Sequence, residues 1–376
     1  LVIYITIRLL TLKTWTNKEK IEFMTGLLFI ILIPFLLAAP QLLPTIELFK
    51  NSARVNHDYQ QIISKMLVQW WQFPLLVVQD FFGNPATKTN FTGDYVGKTL
   101  SIGVVGFSLT IATLVDPKKS FHKIFFFWTA LVIFLLTVNT PITQLLYRYP
   151  IPIMSTGTPT RILFLLMLSL SVLAGFGFDS LAKQKKIAVQ LLFILSGIFV
   201  LLWLFALLHP AIPGLIYTAQ SFIVMKRAMI FSSIILCAFI AILIAKKYSS
   251  FALYALIALS VVELLYSFTK FNPFVPSTFV FPENVIVQFM KTNAGIYRYW
   301  GYGTAAIEAN FATQTQTYSP DGTDPLNLKW YNEFIQASRN GNIAQAFNRT
   351  TRSDAQLAPG YGTDDLPSNI YRLRLM

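Results

Sequence analysis

The chain has 376 residues, of which 54% are hydrophobic and only 12% charged, with a mean hydropathy of +0.55. That balance excludes an ordinary water-soluble globular protein and describes a chain whose main solvent is lipid. A formal charge of +13 would suit nucleic acid, but the basic residues stand in short clusters between apolar runs, as loop charges that orient helices do, and no nucleic-acid partner is expected.

The first twelve residues are apolar but shorter than the ~20 that a span needs, and they read as the remnant of a span cut at its start. Runs long enough to cross, or nearly cross, a bilayer follow near 21–43, 99–115, 123–139, 161–178, 187–208, 228–245 and 251–268. Lys13, Lys18 and Lys20, then Lys118, Lys119 and Lys123, then Lys183, Lys185 and Lys186, then Lys246 and Lys247 fall in every second connection, all of them short. By the positive-inside rule those connections are cytoplasmic. The connections 44–98, 140–160 and 209–227, and everything after about residue 270, are then outside. The expectation is a multi-pass protein of the cell membrane, embedded in the lipid bilayer, with its carboxyl-terminal domain outside the cytoplasm.

The outer connection 44–98 is long and unlike a linker. Between Ile62 and Phe82 it is strongly apolar yet broken by Pro74 and Asp80. This pattern predicts an interfacial or re-entrant helix with Trp70 and Trp71 at head-group depth, or a seam packed against the bundle, and the two are compatible. Turn residues follow at Gly83-Asn84-Pro85 and Thr92-Gly93-Asp94. Three outer carboxylates, Glu47, Asp80 and Asp94, are candidates for activating an acceptor hydroxyl. Three outer arginines near membrane ends, Arg54, Arg148 with Tyr149 beside it, and Arg161, are candidates for holding a phosphate. Solvated loop charge is the plain alternative for each. Glu263 is a carboxylate in the body of a late span, where charge needs a partner, a polar cavity or the nearby interface.

At Asn272 the composition turns polar, and residues 270–376 are expected to form a separate extracytoplasmic α+β domain, cut at its end, after a transmembrane bundle over 1–269. Thr278 to Phe281 and Ile296 to Tyr302 read as strands, Asn284 to Thr292 and Pro325 to Arg339 as helices. Dinucleotide, Walker, HExxH and nucleophile-elbow signatures are missing, and His57, His122 and His209 are isolated in sequence. Cys237, the single cysteine, leaves no intrachain disulfide or cysteine metal site. No pattern indicates a cofactor or a divalent metal, and no catalytic residue is fixed by a motif.

Four stretches in order carry a resemblance. Gln41-Leu42-Leu43-Pro44 followed by Ser52-Ala53-Arg54, then Phe82-Gly83-Asn84-Pro85 with Asp94-Tyr95-Val96-Gly97, then Pro159-Thr160-Arg161 with Leu173 to Asp179, and Glu263 to Pro273 together resemble the pattern of YfhO-type bacterial membrane proteins. That family is similar to the GT-C glycosyltransferases, which take a sugar from a polyprenyl-phosphate carrier and attach it outside the membrane. The resemblance implies a GT-C-like transmembrane bundle, a polyprenyl-phosphate-linked sugar donor, and an extracytoplasmic acceptor such as a cell-wall polymer or glycolipid. It further implies that Arg161, and Arg54 after it, contact the carrier phosphate. It places the main base in a first outer loop upstream of Leu1, which leaves the fragment's own activity open. The alternatives are a transporter or lipid flippase, against which stand the few ionisable residues within spans and the lack of an internal repeat, and a noncatalytic anchor for an interaction domain.

Overall fold

In lipid a backbone must satisfy its own amides and carbonyls, so an unbroken apolar run becomes a helix. The computed structural model describes residues 2–11, 14–53, 58–149, 157–208, 218–245, 251–272, 274–281, 283–299, 310–320, 322, 324 and 326–340. Its helices are α1 (Val2–Thr11), α2 (Asn17–Leu37), α3 (Ala39–Lys50), α4 (Tyr59–Gln61), α5 (Gly103–Val115), α6 (Phe121–Thr137), α7 (Pro141–Tyr147), α8 (Leu163–Lys183), α9 (Lys185–Leu208), α10 (Ala219–Ala245), α11 (Phe251–Phe271), α12 (Val285–Asn293), α13 (Phe311–Thr315) and α14 (Lys329–Asn340). Among the described residues, six helical stretches are long and apolar enough to cross a membrane: Asn17–Leu37, Val96–Val115, Pro159–Lys183, Ile187–Leu208, Ala219–Ala245 and Phe251–Phe271. By length and composition the chain is a helical, multi-pass membrane protein. The run expected at 123–139 falls in α6, which is apolar but only 17 residues long.

The chain divides into two compact units, Leu1–Asn56 with Val275–Met376, and His57–Phe274. In the second unit α5 is central. Thr110 Oγ1 donates to the Leu170 carbonyl at 3.1 Å, and Thr113 Oγ1 to that of Leu173. Further along, Ser180 Oγ donates to Asp116 Oδ2 at 2.6 Å. Partners advance together on both helices, so α5 and α8 run parallel. Their close approach depends on a small residue, as membrane helix contacts commonly do: a Cβ on Gly177 would lie 1.7 Å from the Leu109 carbonyl oxygen. The core continues through Leu181, Leu191, Leu195, Met225 and Phe239, all buried.

The ends of α5 are closed by acids. At its carboxyl end Asp116 accepts from Lys123 Nζ at 2.6 Å, Ser180 Oγ at 2.6 Å, Gln184 Nε2 at 3.1 Å and the Lys118 amide at 3.0 Å. One carboxylate thereby ties α5 to α6 and α8. Burial alone would raise the Asp116 carboxyl, but these donors outweigh it and hold the group well below the ordinary aspartate range.

The apolar stretch 62–82 is a packed seam and not a continuous helix. A π-turn at Ile62–Met66 leads to an extended Leu67–Gln69 and a 3-10 turn at Trp70–Leu76. Val68 pairs with Val138, and Leu67, Val68, Phe81 and Phe82 are buried. Trp71 is buried edge-on to Phe82, with ring centroids 5.2 Å apart, as the packed-seam reading expects. Pro74, which lacks an amide donor, lies inside the 3-10 turn.

In the first unit, α2 opens with a capping box in which the Thr16 amide donates to Glu19 Oε2 at 2.7 Å and the Glu19 amide to Thr16 Oγ1 at 3.3 Å. The Gln-Leu-Leu-Pro stretch lies within α3, which follows α2 after a single residue. Ser52 pairs singly with Leu328, where the Ala53 amide donates to Asn327 O at 2.8 Å. Helices expected near 284–292 and 325–339 appear as α12 and α14. The expected strands do not appear among the described residues. Residues 277–279 form a 3-10 turn that starts after Pro276, with the Phe279 amide donating to the Pro276 carbonyl. In the second stretch Arg298 makes one isolated bridge, to Tyr318, and 300–302 lie outside the described residues.

Candidate functional site

The second unit holds a cavity of about 290 Å³ into which several charged and polar side chains converge. Four parts of the chain build it: the end of the 62–82 seam with the turns that follow, Ser101 and Gly103 at the start of α5, the first half of α10, and the last turns of α11. All of them lie on the side that the lysine pattern assigns to the outside.

Asp80 is its organising carboxylate. Lys270 Nζ, near the end of α11, approaches Asp80 Oδ2 at 2.5 Å. Asp80 Oδ1 accepts from the Tyr95 hydroxyl at 2.8 Å and from Asn84 Nδ2 at 3.1 Å. Gln79 Nε2 donates to the Tyr95 oxygen at 3.2 Å, so that the phenol both gives and receives. Burial, and then the adjacent Asp80 carboxylate, push the Tyr95 hydroxyl well above its ordinary value, which keeps it a donor. Tyr95 also stacks on Phe271, at 5.3 Å between ring centroids.

Opposite Asp80 stands Arg227, exposed on α10. The two helices that carry the cations are joined by Phe231 and Tyr266, stacked at 4.5 Å. Glu263 forms the cavity's inner wall. It is buried, and its two carboxylate oxygens accept from the amides of Val104 at 2.5 Å and Val105 at 3.1 Å. Those are unpaired donors at the start of α5, where the helix dipole favours an anion. Of the three options that the sequence left for Glu263, the structure supplies a partner and a cavity.

The cavity thus brings the Lys270 ammonium, the Arg227 guanidinium and the Asn84 amide together with two carboxylates, Asp80 and Glu263, while the Tyr95 phenol donates to Asp80 from behind the lining. That set suits an anionic group carrying several acceptor oxygens, such as a phosphate. Among the described residues no group of three or more His, Cys, Asp or Glu side chains could hold a metal ion.

Of the residues singled out from sequence, Asp80 and Glu263 line this cavity. Asp94 caps the short turn Val96–Lys98, accepting from the Gly97 amide at 2.9 Å. Arg161 is exposed in the 3-10 turn Pro159–Ile162 ahead of α8. Arg148 and Tyr149 follow α7, both exposed, and Trp70 is exposed beside the buried Trp71. Glu47 lies on α3 in the other unit, and Arg54 lies outside the described residues. Sequence reasoning missed Lys270, Tyr95 and Asn84. The signal for Lys270 was available: it is a lone cation at the end of a span, immediately before Asn272-Pro273. No family model matches this chain, and neither a curated protein nor a solved structure matches it.

Proposed function

We propose that this chain is a YfhO-type, GT-C-like membrane glycosyltransferase that moves a sugar from a polyprenyl-phosphate carrier to an extracytoplasmic acceptor, such as a cell-wall polymer or glycolipid. The observation that carries the reading is the cavity in which Lys270 and Arg227 accompany Asp80 at one end of the bundle. A lipid-borne phosphate is delivered at that depth, and two cations there offset the charge that gathers on it as it leaves. In the reaction an acceptor oxygen attacks the anomeric carbon, the bond from that carbon to the phosphate oxygen breaks, and its electron pair departs with the phosphate. The acceptor proton passes to a carboxylate, a role that this reading gives to Asp80. Arrival of the phosphate draws Lys270 away from Asp80 Oδ2 and opens that oxygen to the proton.

The test is transfer of labelled sugar from a polyprenyl-phosphate donor to acceptor by the purified chain in liposomes. The reading expects Lys270→Met and Arg227→Gln each to lower transfer by about a hundredfold, the usual effect of losing one stabilising donor. Transfer that both variants leave unchanged would remove the cavity from the mechanism. Movement of the lipid across the bilayer without sugar transfer would replace the reading with a flippase.

A further inference from the structure

At the opposite end of α5 from the Asp80 cavity lies a larger one, of about 590 Å³, between α5 and α6. Its wall is apolar, made by Leu114 on α5 and Ile124, Phe127 and Trp128 on α6. All four are substantially exposed, Trp128 at 56% and Leu114 at 50%. Its rim carries Lys118, Lys119 and Lys123, which face a single carboxylate, Asp116. That carboxylate is already taken: Lys123 Nζ lies 2.6 Å from it and also donates to the Lys118 carbonyl at 3.1 Å. Lys123 is thereby immobilised, whereas Lys118 and Lys119 are exposed, with no carboxylate partner among the described residues.

We propose that this cavity binds an anionic phospholipid of the adjacent leaflet, its phosphate held by Lys118 and Lys119 and one acyl chain lying along Leu114, Phe127 and Trp128. The two halves of the site select the two halves of such a molecule. A soluble anion would use the lysines and leave the apolar wall unoccupied, and a zwitterionic lipid would use the wall but bring its own cation against the lysines. A basic pocket between helices at the membrane boundary is the setting in which acidic head groups are captured, and Trp128, midway along α6, lies at the depth of an acyl chain below such a head group. The placement is independent of the sugar-transfer reading.

The experiment uses the full chain in nanodiscs, with quenching of Trp128 fluorescence by brominated phosphatidylglycerol compared with brominated phosphatidylcholine. The Trp128→Phe variant supplies the signal of the other six tryptophans. The proposal expects stronger quenching by phosphatidylglycerol and a fall of about tenfold or more in that preference in Lys118→Gln/Lys119→Gln. Both lysines are exposed loop residues, so the variant is expected to keep the helicity of the parent. Equal quenching by the two lipids, or a preference that survives the double substitution, overturns the proposal. Loss of the preference on adding millimolar inorganic phosphate would also overturn it, by assigning the lysines to a soluble anion.

Discussion

The carboxyl group of Glu263 occupies the space that a side chain on residue 103 would need: a Cβ on Gly103 would lie 2.8 Å from both the carboxyl carbon and one of its oxygens. Gly103 also has a φ of +77°, a conformation that other residues adopt only with strain. Gly103→Ala is therefore expected to destabilise the protein by about 2–3 kcal/mol, read as a lowered unfolding midpoint in detergent. Glu263→Gln keeps the shape and loses the charge at the helix start, with an expected cost of about 1 kcal/mol. A Gly103→Ala variant as stable as the parent would mean that α5 does not begin as described.

Gly177 and Gly175 lie two positions apart on α8 and predict opposite outcomes. A Cβ on Gly177 would collide with the Leu109 carbonyl, while one on Gly175 would meet nothing within 4 Å. Gly177→Ala should separate α5 from α8 and lower thermal stability substantially. Gly175→Ala should be neutral or raise it by up to about 1 kcal/mol through helix propensity.

Asp80 and Lys270 form a partly buried pair with two further donors on the carboxylate. Removing one partner strands the other, so Asp80→Asn and Lys270→Met are each expected to cost about 1–2 kcal/mol, and the double variant less than their sum. Denaturation of the four proteins in one detergent gives the coupling. Strict additivity would show that the pair is not formed in the protein.

Much of this was open to inspection in the sequence, for one physical reason: an apolar run in lipid has only one backbone solution. The spans at 187–208 and 251–268 read almost as they are built. The start of α10 did not, because Lys226 and Arg227 look like loop charges. The helix in fact begins at Ala219, and the Lys226 ammonium sits over the Phe222 ring at 4.1 Å, its stem lying along the helix surface. The candidate site was legible at Asp80 and Glu263, but their partners were not. Its partner Lys270 is 190 positions away, and Glu263 meets Val104 across 159 positions. No local pattern encodes such pairings. The strand reading at 278–281 failed because a short apolar run between prolines is equally compatible with a 3-10 turn.

Alkaline pH should loosen the bundle through Tyr147. Burial pushes its hydroxyl from 10.0 up to about 12, and its oxygen lies 3.3 Å from the Leu136 carbonyl. The folded state therefore holds the proton more tightly than the unfolded one. The contribution is fully present below pH 10 and is lost as pH rises from 10 through about 12. Tyr147→Phe is expected to flatten part of that loss in a pH series of unfolding midpoints.

Acid should act through Asp116, whose folded value lies below its ordinary 3.8. Here the unfolded state binds the proton more tightly, so the contribution is present above 3.8 and is lost as pH falls below it. Asp116→Asn is expected to cost about 3 kcal/mol at neutral pH, because it leaves Lys123 without its charge partner, and to show a shallower acid limb than the parent.

Glu263 grips the first amides of α5, Asp116 anchors its last turn to α6 and α8, and Thr110 and Thr113 hold its middle to α8, so the helix is fastened at both tips and along one side. Its far tip is held by three donors from two helices, its near tip by one side chain of α11. A displacement of α11 therefore meets α5 first at its opening turn, through Glu263, while the rest of the helix stays fastened to α8.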